Sequence, residues 1–271
     1  MSPDDDVEDL TRKQRREQAR TDRKAAEQAE LAAAARRNRL MQLGVVAAVI
    51  IVAIVVIVVA TGGKGKSGPG NNKEKTEVTS QVTKLLGGIE QKGNALGKAS
   101  APVTVQYFGD LECPFCKEFS TEALPKIIEN QVRAGKLRIE YRALETATRE
   151  PEIFRTQQVA ALAAGKQNKM WNYVETFYNE QGEEDSGYVD ESFLQKIAEQ
   201  SGVNLSTWQS DRNNTALIEQ VVSDGQAANQ AGFTGTPSFS IGRTGGELKK
   251  LEYSSFSDPS GIEEAVEKLA S

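Results

Sequence analysis

From Leu40 to Gly63 the chain carries no charged residue, and Val45 to Ala60 is an unbroken run of Val, Ile and Ala. A stretch this apolar must be buried along its whole length. As a helix, residues 40–60 would rise about 31 Å, close to the thickness of a bilayer's hydrocarbon core. The β-branched content would suit a buried strand, yet strands rarely exceed about ten residues, so length favours a single transmembrane helix over 40–60.

The flanks orient this span. Arg36, Arg37 and Arg39 precede it directly, whereas Lys64 and Lys66 follow it and lead into an acidic region. The positive-inside rule then predicts a single-pass protein of the cell membrane, with a cytoplasmic N-terminus and the C-terminal part extracytoplasmic. A cleaved signal peptide competes, since Val58 and Ala60 resemble a small-residue cleavage site. The long leader and long apolar run fit an uncleaved signal anchor better. Both readings put the C-terminal part outside.

Residues 1–39 contain no aromatic residue and few apolar ones besides Ala, so they cannot bury a core. They read as a charged cytoplasmic arm, largely disordered or helical. The basic stretch from Thr11 to Lys24 is a solvated helix near a membrane rather than an RNA-binding segment. Thr61 to Lys75 is rich in Gly, Lys, Asn and Ser, and 61–80 reads as a flexible linker. Residues 80–271 carry 19 basic against 27 acidic side chains. Such a domain repels phosphate backbones, which makes nucleic acid an improbable partner.

In the remaining domain, 81–271, Val103, Val105 and Tyr107 alternate with Thr104 and Gln106, a strand pattern that ends at Gly109. Phe119, Leu124, Ile127, Ile128 and Val132 then recur at helical spacing as far as Gly135, with Pro125 expected to kink the run. Leu137, Ile139, Tyr141 and Ala143 return to a period of two. A strand–helix–strand unit predicts parallel pairing. Over about 152–231 the pattern is helical, with one stripe at Met170, Trp171, Val174, Phe177 and Tyr178. A second stripe is Phe193, Leu194, Ile197 and Ala198, and a third is Leu217, Ile218, Val221 and Val222. A strand through Phe239 and Ile241, another near Leu248–Tyr253, and a helix with Ile262, Ala265, Val266 and Leu269 complete an α/β domain with an inserted helical block.

Only two cysteines occur, Cys113 and Cys116, and there is no histidine. A zinc knuckle needs about four ligands, so no metal site is expected, and no cofactor either. Cys113-Pro114-Phe115-Cys116 lies where strand gives way to helix. A thiol at a helix N-terminus meets unpaired N–H groups and the positive end of the helix dipole, both of which favour thiolate. Cys113 should be the exposed nucleophile and Cys116, one turn on, the shielded resolving thiol. Pro114 suits the first helical position because it has no N–H to leave unpaired. A purely structural disulfide remains an alternative in an oxidising compartment, though it would close a very short loop, where stabilisation is least.

Over residues 89–271 the chain resembles the DsbA-like thioredoxin-fold proteins of bacteria. The resemblance rests on Ala101-Pro102-Val103-Thr104-Val105, on Phe108-Gly109-Asp110-Leu111-Glu112 leading into the cysteines, and on Gly235-Thr236-Pro237-Ser238-Phe239. It implies a thioredoxin fold with an inserted helical block. It also implies a cis Thr236–Pro237 bond facing the cysteines, where substrate backbone docks as an extra strand; the physical reading agrees, since cis bonds are a proline feature. The competing reading is a trans turn proline.

Two departures stand out. Members that are strong oxidants often carry His between the cysteines, and here that position is Phe115, which predicts a weaker oxidant. Many thioredoxin-like enzymes place a buried acid six residues before the nucleophile, and here that residue is Tyr107. Asp110 and Glu112 either substitute as proton acceptors or, as the preferred reading, are loop carboxylates that oppose the thiolate.

The resulting expectation is a thiol-disulfide oxidoreductase in which Cys113 and Cys116 oxidise cysteine pairs of exported proteins. By resemblance, a quinone-reducing membrane protein would take the electrons, and the tether would raise the effective concentration of that partner. A reductase or isomerase on the same surface is the alternative, and a membrane-anchored binding module with a structural disulfide is the alternative of another class.

Overall fold

The computed structural model describes residues 71–253 and 255–271, with side chains from Glu77 onward. The arm 1–39, the expected membrane helix 40–60 and the linker as far as residue 70 lie outside the described residues. Among the described residues no helix is long and apolar enough to cross a membrane.

The first element corrects the linker boundary. Helix α1 (Asn71–Leu86) occupies the second half of the segment read as flexible. Val78, Val82, Leu85 and Leu86 recur at helical spacing, and Val82 and Leu86 are buried in the core, which is what orders the segment. Its last carbonyls are taken by one side chain: the Arg133 guanidinium donates to Gly87 O at 3.0 Å, Leu85 O at 2.8 Å and Lys84 O at 3.4 Å. The polar composition of 71–77 masked a helix that tertiary packing pays for.

A six-stranded sheet runs in the order β1-β2-β4-β3-β5-β6. The outer hairpin, β1 (Gln91–Lys92) and β2 (Ala95–Leu96), has only two residues per strand, too few to show a period. The central strands are β3 (Val103–Gly109) and β4 (Leu137–Ala143), parallel as expected, with Val105 opposite Ile139 and Tyr107 opposite Tyr141. Strand β5 (Ser238–Arg243) lies antiparallel on the other side of β3, with Tyr107 opposite Phe239, and β6 (Lys249–Leu251) forms the edge.

Between β3 and β4 run α2 (Pro114–Glu122) and α3 (Leu124–Ile127), the latter passing into a π-helical turn over Ile128–Val132. The break falls at Ala123, two residues before Pro125, as expected of a proline that cannot donate to the preceding turn. The helical block comprises α4 (Pro151–Gly165), α5 (Met170–Asn179), α6 (Glu191–Ser201), α7 (Leu205–Asp211) and α8 (Thr215–Gln230), and α9 (Ser260–Ala270) closes the domain. The α5 stripe is fully buried. The α8 stripe is not as expected: Leu217, Val221, Asp224 and Ala228 face inward, and Val222 is 56% exposed. Positions 217, 221, 224 and 228 form one row on the helix, which turns 222 outward.

A buried aromatic cluster underlies the β3–α2 junction. The Tyr107 ring lies 5.0 Å from Phe119, 5.3 Å from Tyr141 and 5.5 Å from Phe239. This packing joins the central strands to the first helix and so fixes the turn that carries the cysteines.

Candidate active site

Strand β3 delivers the chain to Gly109, and a tight turn leads into α2 with Cys113 as its N-cap. Gly109 admits no side chain: a Cβ there would sit 2.9 Å from the Tyr141 ring and 3.1 Å from the Tyr178 hydroxyl. At the N-cap, φ −70° and ψ 121° leave the Cys113 backbone extended, and no side-chain oxygen caps the helix. A sulfur stands where a capping oxygen would, and Pro114 occupies the first helical position, as expected. The turn is held by Gln181, whose amide donates to Leu111 O at 2.7 Å and to Cys113 O at 3.1 Å.

The two thiols occupy different environments. Cys113 is lowered to about 7, first by the hydrogen bond from the Cys116 thiol and further by the Thr236 side chain and the N–H groups of Cys116 and Phe115, against the opposing effect of burial. Burial, together with the adjacent Cys113 sulfur, pushes Cys116 well above its ordinary value. The expected asymmetry is present, with one correction: Cys113 is not openly exposed, at 4% against 0% for Cys116. The cause is the loop before β5. Thr236–Pro237 is a cis peptide, and the Cys113 thiol donates to Thr236 O at 3.3 Å. The proline motif and the cysteine motif, far apart in the chain, therefore meet at the Cys113 sulfur.

Below the pair, the position six residues before Cys113 is filled by a hydroxyl network. The Tyr107 hydroxyl donates to that of Tyr178 at 3.1 Å, and Tyr178 donates to Asp110 O at 3.2 Å. A buried acid is nevertheless present, on a different element. Glu175 of α5 is 1% exposed and accepts from the Ser120 hydroxyl at 2.8 Å, and Ser120 lies one turn beyond Cys116 on α2. Burial pushes this carboxyl up to about 8. Nothing in the sequence marks Glu175, which sits within a helical core stripe.

Asp110 and Glu112 lie in the loop before Cys113, as expected, and both are buried there. Asp110 is wholly buried, and its carboxylate binds the loop after β4. One oxygen accepts from the N–H groups of Thr146, Ala147 and Thr148 at 3.0, 2.9 and 3.0 Å. The other accepts from the Thr148 hydroxyl at 2.6 Å and Glu112 N at 3.1 Å. With so many donors already on its oxygens, Asp110 is a structural clamp and not a free proton acceptor. Burial raises the Glu112 carboxyl, and the neighbouring carboxylate of Asp110 adds to the effect. Among the described residues no group of three His, Cys, Asp or Glu side chains is placed to hold a metal ion.

Phe115, between the cysteines, is 55% exposed and its ring lies 5.7 Å from that of Phe256. The two rings, with Phe233, Pro237, Leu251 and Tyr253, line a groove of about 370 Å³ beside the cis peptide and the edge strand β6.

A thiol of lowered pKa at a helix N-terminus, a buried partner thiol one turn on and a cis-proline loop against them define a thioredoxin-fold thiol-disulfide exchange site. The family model described as Thioredoxin matches residues 90–256, and the chain belongs to that family. It is similar to the probable disulfide bond formation protein D of Bacillus cereus, 26% identical over 148 residues that cover 53% of this chain and 67% of that protein. Disulfide bond formation protein D of Bacillus subtilis is 24% identical over 181 residues, covering 64% and 75%. In fold it matches the crystal structure of oxidised BdbD from Bacillus subtilis with a TM-score of 0.56 at 22% identity, over 67% of this chain and 97% of that one. The protein is a thioredoxin-fold thiol-disulfide oxidoreductase.

Proposed function

We propose that the protein is an oxidase that introduces disulfides into exported proteins, with Cys113 as the sulfur the substrate attacks and Cys116 as the thiol that leaves it and that resolves the mixed disulfide in the reverse direction. The observation that carries this reading is the environment of Cys113: its thiolate is stabilised to about 7 while Cys116 is held as a thiol. Stabilising the thiolate of the reduced pair favours the reduced form and makes the disulfide a better oxidant. The similar Bacillus proteins carry the name disulfide bond formation protein, which supports the same direction.

In the proposed cycle a substrate thiolate attacks Cys113 Sγ of the Cys113–Cys116 disulfide, and Cys116 departs and takes up a proton. A second substrate thiolate attacks the mixed disulfide at the substrate sulfur, and Cys113 leaves as thiolate. Two electrons pass to the pair and one disulfide to the substrate. Substrate backbone would dock at Thr236–Pro237, with apolar side chains in the groove beside Phe115. A membrane protein that passes electrons to quinone would reoxidise the pair, and a single membrane helix over 40–60 would hold the domain outside the cell near that partner.

The glutathione equilibrium of the full chain, scored by thiol alkylation mass, tests the direction. A potential of about −120 to −180 mV is expected, and one below about −230 mV would indicate a reductase instead. The absence of His at Phe115 favours that second reading. The substrate claim rests on trapping in the reverse direction: in Cys116→Ala the Cys113 thiolate attacks the disulfides of oxidised exported proteins, breaking the S–S bond and releasing one substrate thiolate, and mixed disulfides should accumulate because no Cys116 thiol resolves them; none should form when Cys113 is also replaced.

A further inference from the structure

The loop after β4 reaches the site through a contact that the exchange chemistry above does not use. The Thr146 hydroxyl lies 2.5 Å from the Thr236 hydroxyl. Thr146 is held by the Asp110 carboxylate through its own N–H, and the two following N–H groups converge on the same oxygen. The Leu144 N–H adds a bond to Gly109 O at 3.0 Å. An otherwise exposed threonine is thus fixed from behind by a fully buried carboxylate.

Counting protons makes the contact consequential. In the thiol form, Cys113 donates to the Thr236 carbonyl. As a thiolate it can only accept, and Thr236, whose carbonyl lies 3.3 Å from the sulfur, also carries a hydroxyl that favours the charged form. That hydroxyl has a single proton. If it is spent on Thr146, the sulfur loses a donor; if Thr146 donates instead, the Thr236 proton is free for the sulfur and its oxygen is polarised by the incoming bond. Negative charge on the sulfur selects the second arrangement.

We propose that Thr146 is a positioning residue that, anchored by Asp110, donates to the Thr236 hydroxyl and aims the Thr236 proton at Cys113. The proposal rests on Cys113 being the reactive sulfur. Thr146 would then set how oxidising the pair is without touching the reacting atoms.

The test uses the reduced full chain and small thiol reagents, so that no protein substrate contacts Thr146. Cys113 alkylation by iodoacetamide at pH 6 should slow about threefold in Thr146→Val. The glutathione equilibrium at pH 8 should move about threefold toward the disulfide. Thr146→Ser, which keeps the hydroxyl, should match the wild type, and Thr146→Ala provides the same loss with less bulk if the valine variant folds poorly. A rate that is unchanged or faster without the hydroxyl would overturn the proposal, as would an equal loss in Thr146→Ser. If the wild-type Cys113 itself reacts as an ordinary thiol, the assignment of Cys113 falls and this proposal with it. A fast wild type with an unaffected Thr146→Val removes Thr146 alone.

Discussion

The environment of Cys113 makes the stability of the reduced protein depend on pH in a calculable way. The Cys113 thiol moves from an ordinary value of 9.0 in the unfolded chain to about 7 in the folded one. A depressed pKa contributes stability that is complete above the unfolded value and is lost as pH falls through the folded one. At about 1.36 kcal/mol per unit, the thiolate contributes nearly nothing at pH 6, about 0.4 kcal/mol at pH 7 and about 1.4 kcal/mol at pH 8. Glu175 acts in the opposite sense. Its carboxyl is raised to about 8, so its contribution is present below the ordinary 4.5 and is lost as pH rises through about 8. The total pH dependence therefore mixes two opposed effects, and a difference measurement separates them. Urea unfolding under reducing conditions should be compared for wild type and Cys113→Ser at pH 6, 7 and 8. Glu175 bonds to Ser120 and not to Cys113, so its part cancels in the difference. The wild type should gain about 1.3 kcal/mol relative to Cys113→Ser between pH 6 and pH 8. At an m-value of about 2 kcal/mol per molar urea, the midpoints separate by about 0.6 M. A flat difference across this range would refute a stabilised Cys113 thiolate.

Two further outcomes follow from the packing. Glu175→Gln should stabilise the domain by about 3 kcal/mol at pH 7, because the folded carboxyl must take up a proton that the unfolded one has released; the gain should vanish near pH 4.5, and urea midpoints that do not depend on pH would count against it. A fragment of residues 87–271 should unfold at lower urea than one of residues 71–271, by about 3 to 6 kcal/mol, since it loses the buried side chains of Val82 and Leu86; equal midpoints would return α1 to the linker.

How far the fold could be read in advance depended on element length. Strands β3 and β4 each offer seven residues, and β4 alternates buried with half-buried positions without a fault, so period and pairing were both legible. The proline break in the α2–α3 run follows from a missing N–H and needed no tertiary information. The two-residue strands of the β1–β2 hairpin carry no period at all. Helix α1 is hidden for a different reason: its first residues are polar, and the four apolar side chains from Val78 onward matter only because a core and the Arg133 side chain are there to receive them. Val222 shows the limit of stripe reading: Ile218 still packs against the core, and one turn on the same row has reached solvent.

The site divides along the same line. The cysteine spacing, Pro114 and the helix start are local, and local sequence carries them. What sets the thiol chemistry arrives from elsewhere: Thr236 is 123 residues from Cys113, Thr146 is 90 from Thr236, and Glu175 is 55 from Ser120. This bears on oxidising strength. Phe115 in place of His removes one donor, and from sequence alone the thiolate should be less stabilised than in members that carry His. In the folded protein the sulfur receives Cys116, Thr236 and two backbone N–H groups, and together these outweigh burial. The lost imidazole is therefore offset by Cys116 and Thr236, one from each of the two motifs, and by the N–H groups of the helix start. Replacing Phe115 with His should then lower Cys113 less than it would in a site where His is the principal donor, since Cys116, Thr236 and the helix N–H groups already hold it down.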